Sequence, residues 1–297
     1  MNDRLQLLAI IAIVQMLVVG FFLMFGGQGK VDEGAWISFE SDVVTSIEVA
    51  DEDEAITVNQ TPQGWMIDGL PAEEEKISNL LDKLIGLDAP WPVATTSDAI
   101  QRFEVTEENF QRRLVLKNGN EIILDLLLGT SPGYQRVHAR RAGDSEVYSV
   151  ALSNFELPAN VDGWLDKALL TVEDEVSQVS LGETVLEKSG EGWLVNAQVA
   201  NQDVATTYAN RFGTMRVLGV YGGDKELTAL GTIEINKDIR LEIQRETEEG
   251  EYIVRSPKFD RDFRLSTYIA EQLLMTDVDF SVTQAEEAEE AEALDAS

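Results

Sequence analysis

The sequence predicts an α+β protein in which a single N-terminal transmembrane helix precedes two tandem repeats, each a largely antiparallel sheet with a packed helix. Three observations support this class. The chain starts with an uncharged apolar run, a hairpin pattern with a Gly-Trp pair occurs twice, and each copy continues with a helix-period stripe and then strands. Antiparallel strands with a helix on one face are typical of α+β domains.

The apolar run begins at Leu5 and ends at Phe25. As a helix it measures about 31 Å, which matches a hydrocarbon core of about 30 Å. No small-x-small cleavage site follows, and the run continues into a Gly-rich collar, so an uncleaved single-pass anchor is favoured over a signal peptide. The positive charges that flank the run, at Arg4 and Lys30, nearly balance. We expect the N-terminus in the cytoplasm and the bulk of the chain outside.

Gln15 lies at the middle of the predicted span. An amide at that depth is costly without a partner, so Gln15 is a candidate contact to a neighbouring transmembrane helix. The alternative is that so apolar a helix tolerates one glutamine.

The first repeat contains Gly64-Trp65 at the end of a hairpin turn. The next segment has apolar residues at i, i+3, i+4, i+7 and i+8, the stripe of a helix that Gly86 ends. Asn118-Gly119 then predicts a tight hairpin. Residues 151–155 close the repeat as a short apolar helix candidate. The members of the stripe are Ile77, Leu80, Leu81, Leu84 and Ile85.

The second repeat has the same plan around Gly192-Trp193. Asn201 is the candidate N-cap of its helix. Residues 268–274 form its closing helix candidate. The stripe of the main helix consists of Val204, Tyr208, Phe212 and Met215.

These patterns divide the chain into four parts. Residues 1–29 form the anchor and collar, 30–174 the first repeat, 175–282 the second repeat, and 283–297 an acidic tail. The tail alternates alanine with glutamate, a composition that predicts a solvated, disordered segment.

Charge and composition exclude several classes of function. The chain carries 54 acidic and 23 basic residues, for a net charge of -31. Such a chain is repelled by phosphodiester backbones, so nucleic-acid binding is excluded. With no cysteine and only His138, disulfides, thiolate chemistry and Cys- or His-based metal sites are excluded too. No phosphate-loop or hydrolase motif indicates a cofactor or a catalytic residue.

The aromatic residues are the remaining candidate contacts. Trp65 and Trp193 occupy equivalent places, which favours a packing role in both repeats over a partner-binding role. Trp91, bracketed by prolines, is a better candidate for partner contact, and Tyr221 stands at the matching position. That match also allows a structural role for both.

The anchor, the paired Gly-Trp hairpins and the strand-rich second halves together resemble a bacterial domain-of-unknown-function family, number four-three-four-zero. The resemblance implies a tandem-repeat ectodomain behind one membrane helix. It also implies an association with gliding-motility-type ABC transporters, whose genes often accompany those of the family. It carries over no functional residue.

The leading hypothesis is a non-catalytic, extracytoplasmic accessory or scaffold subunit of an ABC-type exporter complex in the bacterial inner membrane. Its partners would be the permease and ATPase subunits. The alternative is an independent periplasmic ectodomain that binds polysaccharide, peptide or lipid in a cleft between the two units, lined by aromatic residues such as Trp91 and Tyr221. An anchored hydrolase that uses paired carboxylates is a third possibility.

Overall fold

The computed structural model describes residues 36–89, 91–190, 192–247 and 250–281. The predicted anchor with Gln15, the collar and the tail at 283–297 lie outside these ranges. Of the helices within them, none has the length and apolar character that crossing a bilayer requires. Two largely antiparallel sheets with a few helices confirm the predicted α+β class.

The first sheet has eight strands in the order β4-β3-β2-β1-β5-β6-β7-β8, and every neighbouring pair is antiparallel. Helices α1 and α2 lie between β4 and β5 in sequence. The elements are β1 (Ser46–Ala50), β2 (Ala55–Thr61), β3 (Gly64–Ile67), β4 (Leu70–Pro71), α1 (Glu74–Ile85), α2 (Ser97–Arg102), β5 (Arg112–Asn118), β6 (Glu121–Leu128), β7 (Val137–Arg141) and β8 (Tyr148–Val150).

The second sheet has nine strands in the order β12-β11-β10-β9-β14-β15-β16-β17-β13. Apart from the added edge strand β13, this order repeats that of the first sheet. The elements are β9 (Gln178–Leu181), β10 (Thr184–Ser189), β11 (Gly192–Val195), β12 (Gln198–Val199), α3 (Gln202–Phe212), β13 (Gly219–Val220), β14 (Thr228–Ile235), β15 (Ile239–Arg245), β16 (Tyr252–Ser256), β17 (Arg261–Leu265), α4 (Thr267–Leu273) and α5 (Asp277–Phe280).

The two main helices form where the apolar periodicity predicts them. In α1 the buried side chains are Ile77, Leu80, Leu81 and Leu84, and Gly86 is the C-cap. In α3 the side chain of Asn201 accepts a hydrogen bond from the backbone N–H of Val204 at 3.2 Å, the predicted N-cap. Tyr208 and Phe212 of α3 are buried as predicted, whereas Met215 lies beyond the helix, which ends at Phe212 before the C-cap Gly213.

The first sheet buries apolar side chains on both faces, although part of the second face is open. Its α1 face holds the larger core, which includes Leu126. The next residue along β6, Leu127, points to the opposite face. There it packs with Val105 and Val147, and Ile100 of α2 lies over them. This smaller apolar cluster is absent from the sequence-based prediction.

One predicted element is wrong. Residues 151–155 do not form an α-helix; a 3-10 turn spans Asn154–Glu156 instead. Ser153 and Glu156 form a capping box around this turn. Leu152 is buried in the first core, but Phe155 is 94% exposed, so the segment does not bury the expected apolar stripe. The predicted closing helix of the second repeat is present as α4.

The segment between the sheets packs with both units. Trp164 is buried in the first core, whereas Leu165, Leu169 and Leu170 belong to the second. The domain boundary at residue 174 stays a prediction.

Candidate functional site

The two Gly-Trp hairpins are built alike. Trp65 on β3 is half-buried against the first core, and Trp193 on β11 is 5% exposed in the second. In each unit the first residue of the main helix, Glu74 or Gln202, lies over the glycine that precedes the tryptophan. A Cβ would overlap the Glu74 side-chain oxygen at Gly64 and would lie 3.1 Å from the Gln202 side-chain oxygen at Gly192.

We expect the two glycines to differ in tolerance. Gly64→Ala should lower the free energy of unfolding by about 1–3 kcal/mol, because its φ of +104° is strained for alanine and its Cβ meets Glu74. Gly192→Ala should cost about 1 kcal/mol or less, because its φ is not in the left-handed region and the Gln202 amide, at 3.1 Å, has to shift only slightly. Urea titrations of both variants test this; equal losses would contradict it.

Trp91 and Tyr221 lie at matching places but differ in exposure. After α1, Ala94 forms a bridge to Val147 beside β8; after α3, β13 pairs with β17. Trp91 is 70% exposed. Tyr221 is half-buried and its hydroxyl donates to Glu246 at 3.0 Å. Loss of hydration and this hydrogen bond raise the pKa of Tyr221.

A groove of about 590 Å³ runs beside α1; we call it the α1 groove. Phe155 stands at its rim, and an ion pair between Lys83 and Glu156 crosses from α1 to the 3-10 turn. Burial lowers the pKa of Lys76 in its wall. Its lining consists of Glu73, Glu75, Lys76, Asn79, Leu80, Lys83, Phe155 and Glu156. Such a mixed surface suits an amphipathic ligand more than an apolar one.

Neither Trp91 nor Tyr221 lines the α1 groove. Neither lines the grooves beside α3, beside β15 or over the open face of the first sheet. Among the described residues, these four grooves are therefore not the aromatic cleft that the ligand-binding hypothesis expects.

The junction between the units centres on the 3-10 turn Val161–Gly163. From the first unit, the ammonium of Lys76 donates to the carbonyl of Gly163. From the second, Asp162 accepts from the backbone N–H of Val220 at 2.7 Å and pairs with Arg264. Both units therefore hold the same short turn.

Backbone hydrogen bonds extend the junction on either side of Trp164. The N–H of Glu73 donates to the carbonyl of Trp164 at 2.8 Å. The N–H of Asp166 donates to the carbonyl of Pro71 at 2.9 Å. Farther along, the N–H of Val217 donates to Lys167 at 2.9 Å. The connecting segment is thus bonded first to one unit and then to the other.

His138 is a structural side chain in this arrangement. It is 8% exposed, stacks on Phe103 with ring centroids 3.9 Å apart, and its Nδ1 lies 2.9 Å from the Thr130 hydroxyl. Burial lowers the pKa of His138. In the described ranges, no group of three or more His, Asp and Glu side chains is placed to hold a metal ion.

Sequence reasoning missed the exposed ring of Phe155, because the residue was assigned to a closing helix. The available signal was the Ser153-x-x-Glu156 spacing, which predicts a capped turn. Tyr134, 89% exposed in the β6–β7 turn, was also missed. No spacing or motif distinguishes it from other turn residues.

The fold and these surfaces define an α+β protein of two antiparallel sheets, joined by a shared turn and bearing exposed aromatic rings. The chain belongs to the family described as Domain of unknown function (DUF4340), whose model matches residues 65–235, more than half of the chain. This confirms the resemblance that the sequence predicts. No curated protein and no solved structure matches the chain.

Proposed function

We propose that this protein is a membrane-anchored, extracytoplasmic accessory or scaffold subunit of an ABC-type exporter complex, and that it is non-catalytic. The observation that carries the proposal is the junction. A scaffold must hold its contact surfaces in a defined relation, and here Lys76 of one unit and Arg264 of the other bind the single turn Val161–Gly163.

The location rests on the sequence. The apolar run from Leu5 to Phe25 is long enough to span the inner membrane once, and the proposed orientation places both sheets in the periplasm. The exporter association comes from the family resemblance. Permease and ATPase subunits are therefore the proposed partners.

The charged groups support a structural role. Glu107 pairs with the nearly buried guanidinium of Arg140 at 2.8 Å, and Glu246 pairs with Lys225 at 2.9 Å. Hydrogen bonds from these cations lower the pKa of Glu107 and of Glu246. A general acid at neutral pH needs the opposite shift.

The α1 groove favours a second candidate function, an independent ectodomain that binds polysaccharide, peptide or lipid. At about 590 Å³ it falls within the size range of small-molecule sites, and Phe155 offers a ring for stacking. In this alternative the protein needs no permease partner.

Co-purification separates the two functions. A C-terminally tagged chain is solubilised from native membranes in mild detergent, and the proteins that accompany it are identified. We expect permease and ATPase subunits. Isolation of the chain alone would contradict the accessory role and would direct binding tests with envelope glycans and lipids to the α1 groove.

Gln15→Leu tests whether the contact lies within the membrane. We expect it to reduce the recovery of the permease by about tenfold, since one interhelical hydrogen bond is worth about 1–2 kcal/mol. Gln6→Leu is the matched control, because Gln6 lies near the end of the same run, where water satisfies its amide. Equal recovery from both variants would place the contact elsewhere.

A further inference from the structure

The described chain begins at Trp36, against the edge strand β8. The ring of Trp36 contacts that of Tyr148 with centroids 5.0 Å apart, and the guanidinium of Arg141 lies 5.7 Å from the Trp36 ring centroid. The Nε of Arg141 is buried and has no hydrogen-bond partner in the described part of the chain. The first described residue therefore packs on an aromatic ring and a guanidinium beside the edge strand.

The loop between α1 and α2 crosses the same edge. Ala89 packs against the larger core on one face of the sheet, and Ala94 packs against the smaller cluster on the other. Between them, the N–H of Val93 donates to the carbonyl of Val147 at 2.7 Å. Trp91 and Val93 remain 70% and 50% exposed.

We propose that this β8-edge surface, composed of Trp36, Trp91, Val93, Arg141 and Tyr148, faces the membrane, and that Trp91 inserts into the lipid headgroup region. The inference rests on the proposed anchor and adds an orientation to it. Tryptophan combines a large apolar ring with an N–H donor, and it is enriched at membrane interfaces for that reason.

The short stretch between the predicted anchor and Trp36 limits how far the β8 edge lies from the bilayer. Ten residues separate Phe25 from Trp36. Ten residues span at most about 35 Å. A domain of about 140 residues is itself close to 40 Å across. The face on which the chain enters is therefore held nearer to the membrane than the opposite face.

The contact depends on ring insertion more than on charge. A net charge of -31 gives no attraction to anionic lipids, and Glu146, which accepts from the Tyr148 hydroxyl at 2.6 Å, adjoins the surface. Zwitterionic headgroups avoid this repulsion, and their phosphates are acceptors for Arg141.

The chain lacks cysteine, so single labels can be placed cleanly. Val93→Cys, with Trp91 retained, carries an environment-sensitive fluorophore in the full-length protein, which is reconstituted in phosphatidylcholine nanodiscs with nitroxide-headgroup lipid. Tyr268→Cys and Val278→Cys are the controls, because these residues are 69% and 77% exposed on α4 and α5 of the second unit. We expect at least about twofold quenching at residue 93 and little at the controls.

Adding Trp91→Ala to the Val93→Cys chain should reduce the quenching. If residue 93 is quenched no more than the controls while the protein elutes with nanodiscs, the orientation is overturned and the anchor stands. If the protein does not enter nanodiscs, the anchor fails together with the inference. A change at residue 93 that requires permease and ATPase subunits would assign the surface to protein and overturn the lipid contact.

Discussion

Trp164→Ala is expected to lower the free energy of unfolding by about 3–5 kcal/mol, the usual cost of truncating a buried aromatic side chain. Trp164 is 0% exposed, and its indole N–H donates to the carbonyl of Pro158 at 2.7 Å. The ammonium of Lys76 lies 4.7 Å from its ring centroid. The change therefore removes core volume and loosens the junction together, and urea titration measures the loss.

Trp91→Ala is the matched control. Its ring is 70% exposed, so the free energy of unfolding should change by no more than about 0.5 kcal/mol. A second readout is trypsin cleavage after Lys167, which we expect to accelerate in Trp164→Ala because the connecting segment opens more often. Similar losses in both tryptophan variants would contradict the assignment of Trp164 to the core beside the junction.

The helices and hairpins were predictable because their signals are local. The apolar stripe of α1 and its Gly86 end appear in sequence order, and the adjacent pair Asn118-Gly119 is enough to predict the β5–β6 turn. The Gly-Trp repetition also predicted that both units share one plan. The structure shows why a glycine precedes each tryptophan, since the side chains of Glu74 and Gln202 lie over the two glycines.

The second face of the first sheet was not predictable in the same way. Strand geometry places Leu127 opposite Leu126, but only the tertiary fold shows that apolar side chains cover Leu127 on that second face. Helix α2 is six residues long, too short to show a clear periodicity. Strands of two residues, such as β13, carry no pattern at all.

The candidate site was predictable only in part. Sequence pattern identified Trp91 as a loop residue that can reach a partner, and the structure leaves it exposed. It also treated Tyr221 as equivalent, but Glu246, 25 residues away, holds that hydroxyl. The junction pair Asp162 and Arg264 is 102 residues apart and has no sequence signature. Long-range pairs of this kind arise from topology, which one sequence does not display.

Gly129→Ala is expected to lower the free energy of unfolding by about 3 kcal/mol, at the upper end of the usual cost of overpacking. A Cβ at this position would overlap the backbone carbonyl oxygens of Phe103 and Glu104. Neither the turn at Gly129 nor the backbone at residues 103–104 can move easily. The N–H of Gly129 donates to the backbone carbonyl of His138, and the N–H of Thr130 donates to that of Phe103, both at 2.9 Å.

Gly133→Ala, in the same β6–β7 turn, separates this overlap from a general effect on the turn. No atom lies within 4 Å of its Cβ position, so the change should be neutral or stabilise by up to about 1 kcal/mol.

His138, the single histidine, supplies an independent readout by NMR titration. Because burial under Phe103 lowers the pKa of His138, displacement of that ring in Gly129→Ala should raise the pKa toward its ordinary value of 6.5, whereas Gly133→Ala should leave it unchanged. An unaltered His138 pKa together with a small stability loss in Gly129→Ala would show that the backbone at residues 103–104 is not held against the turn.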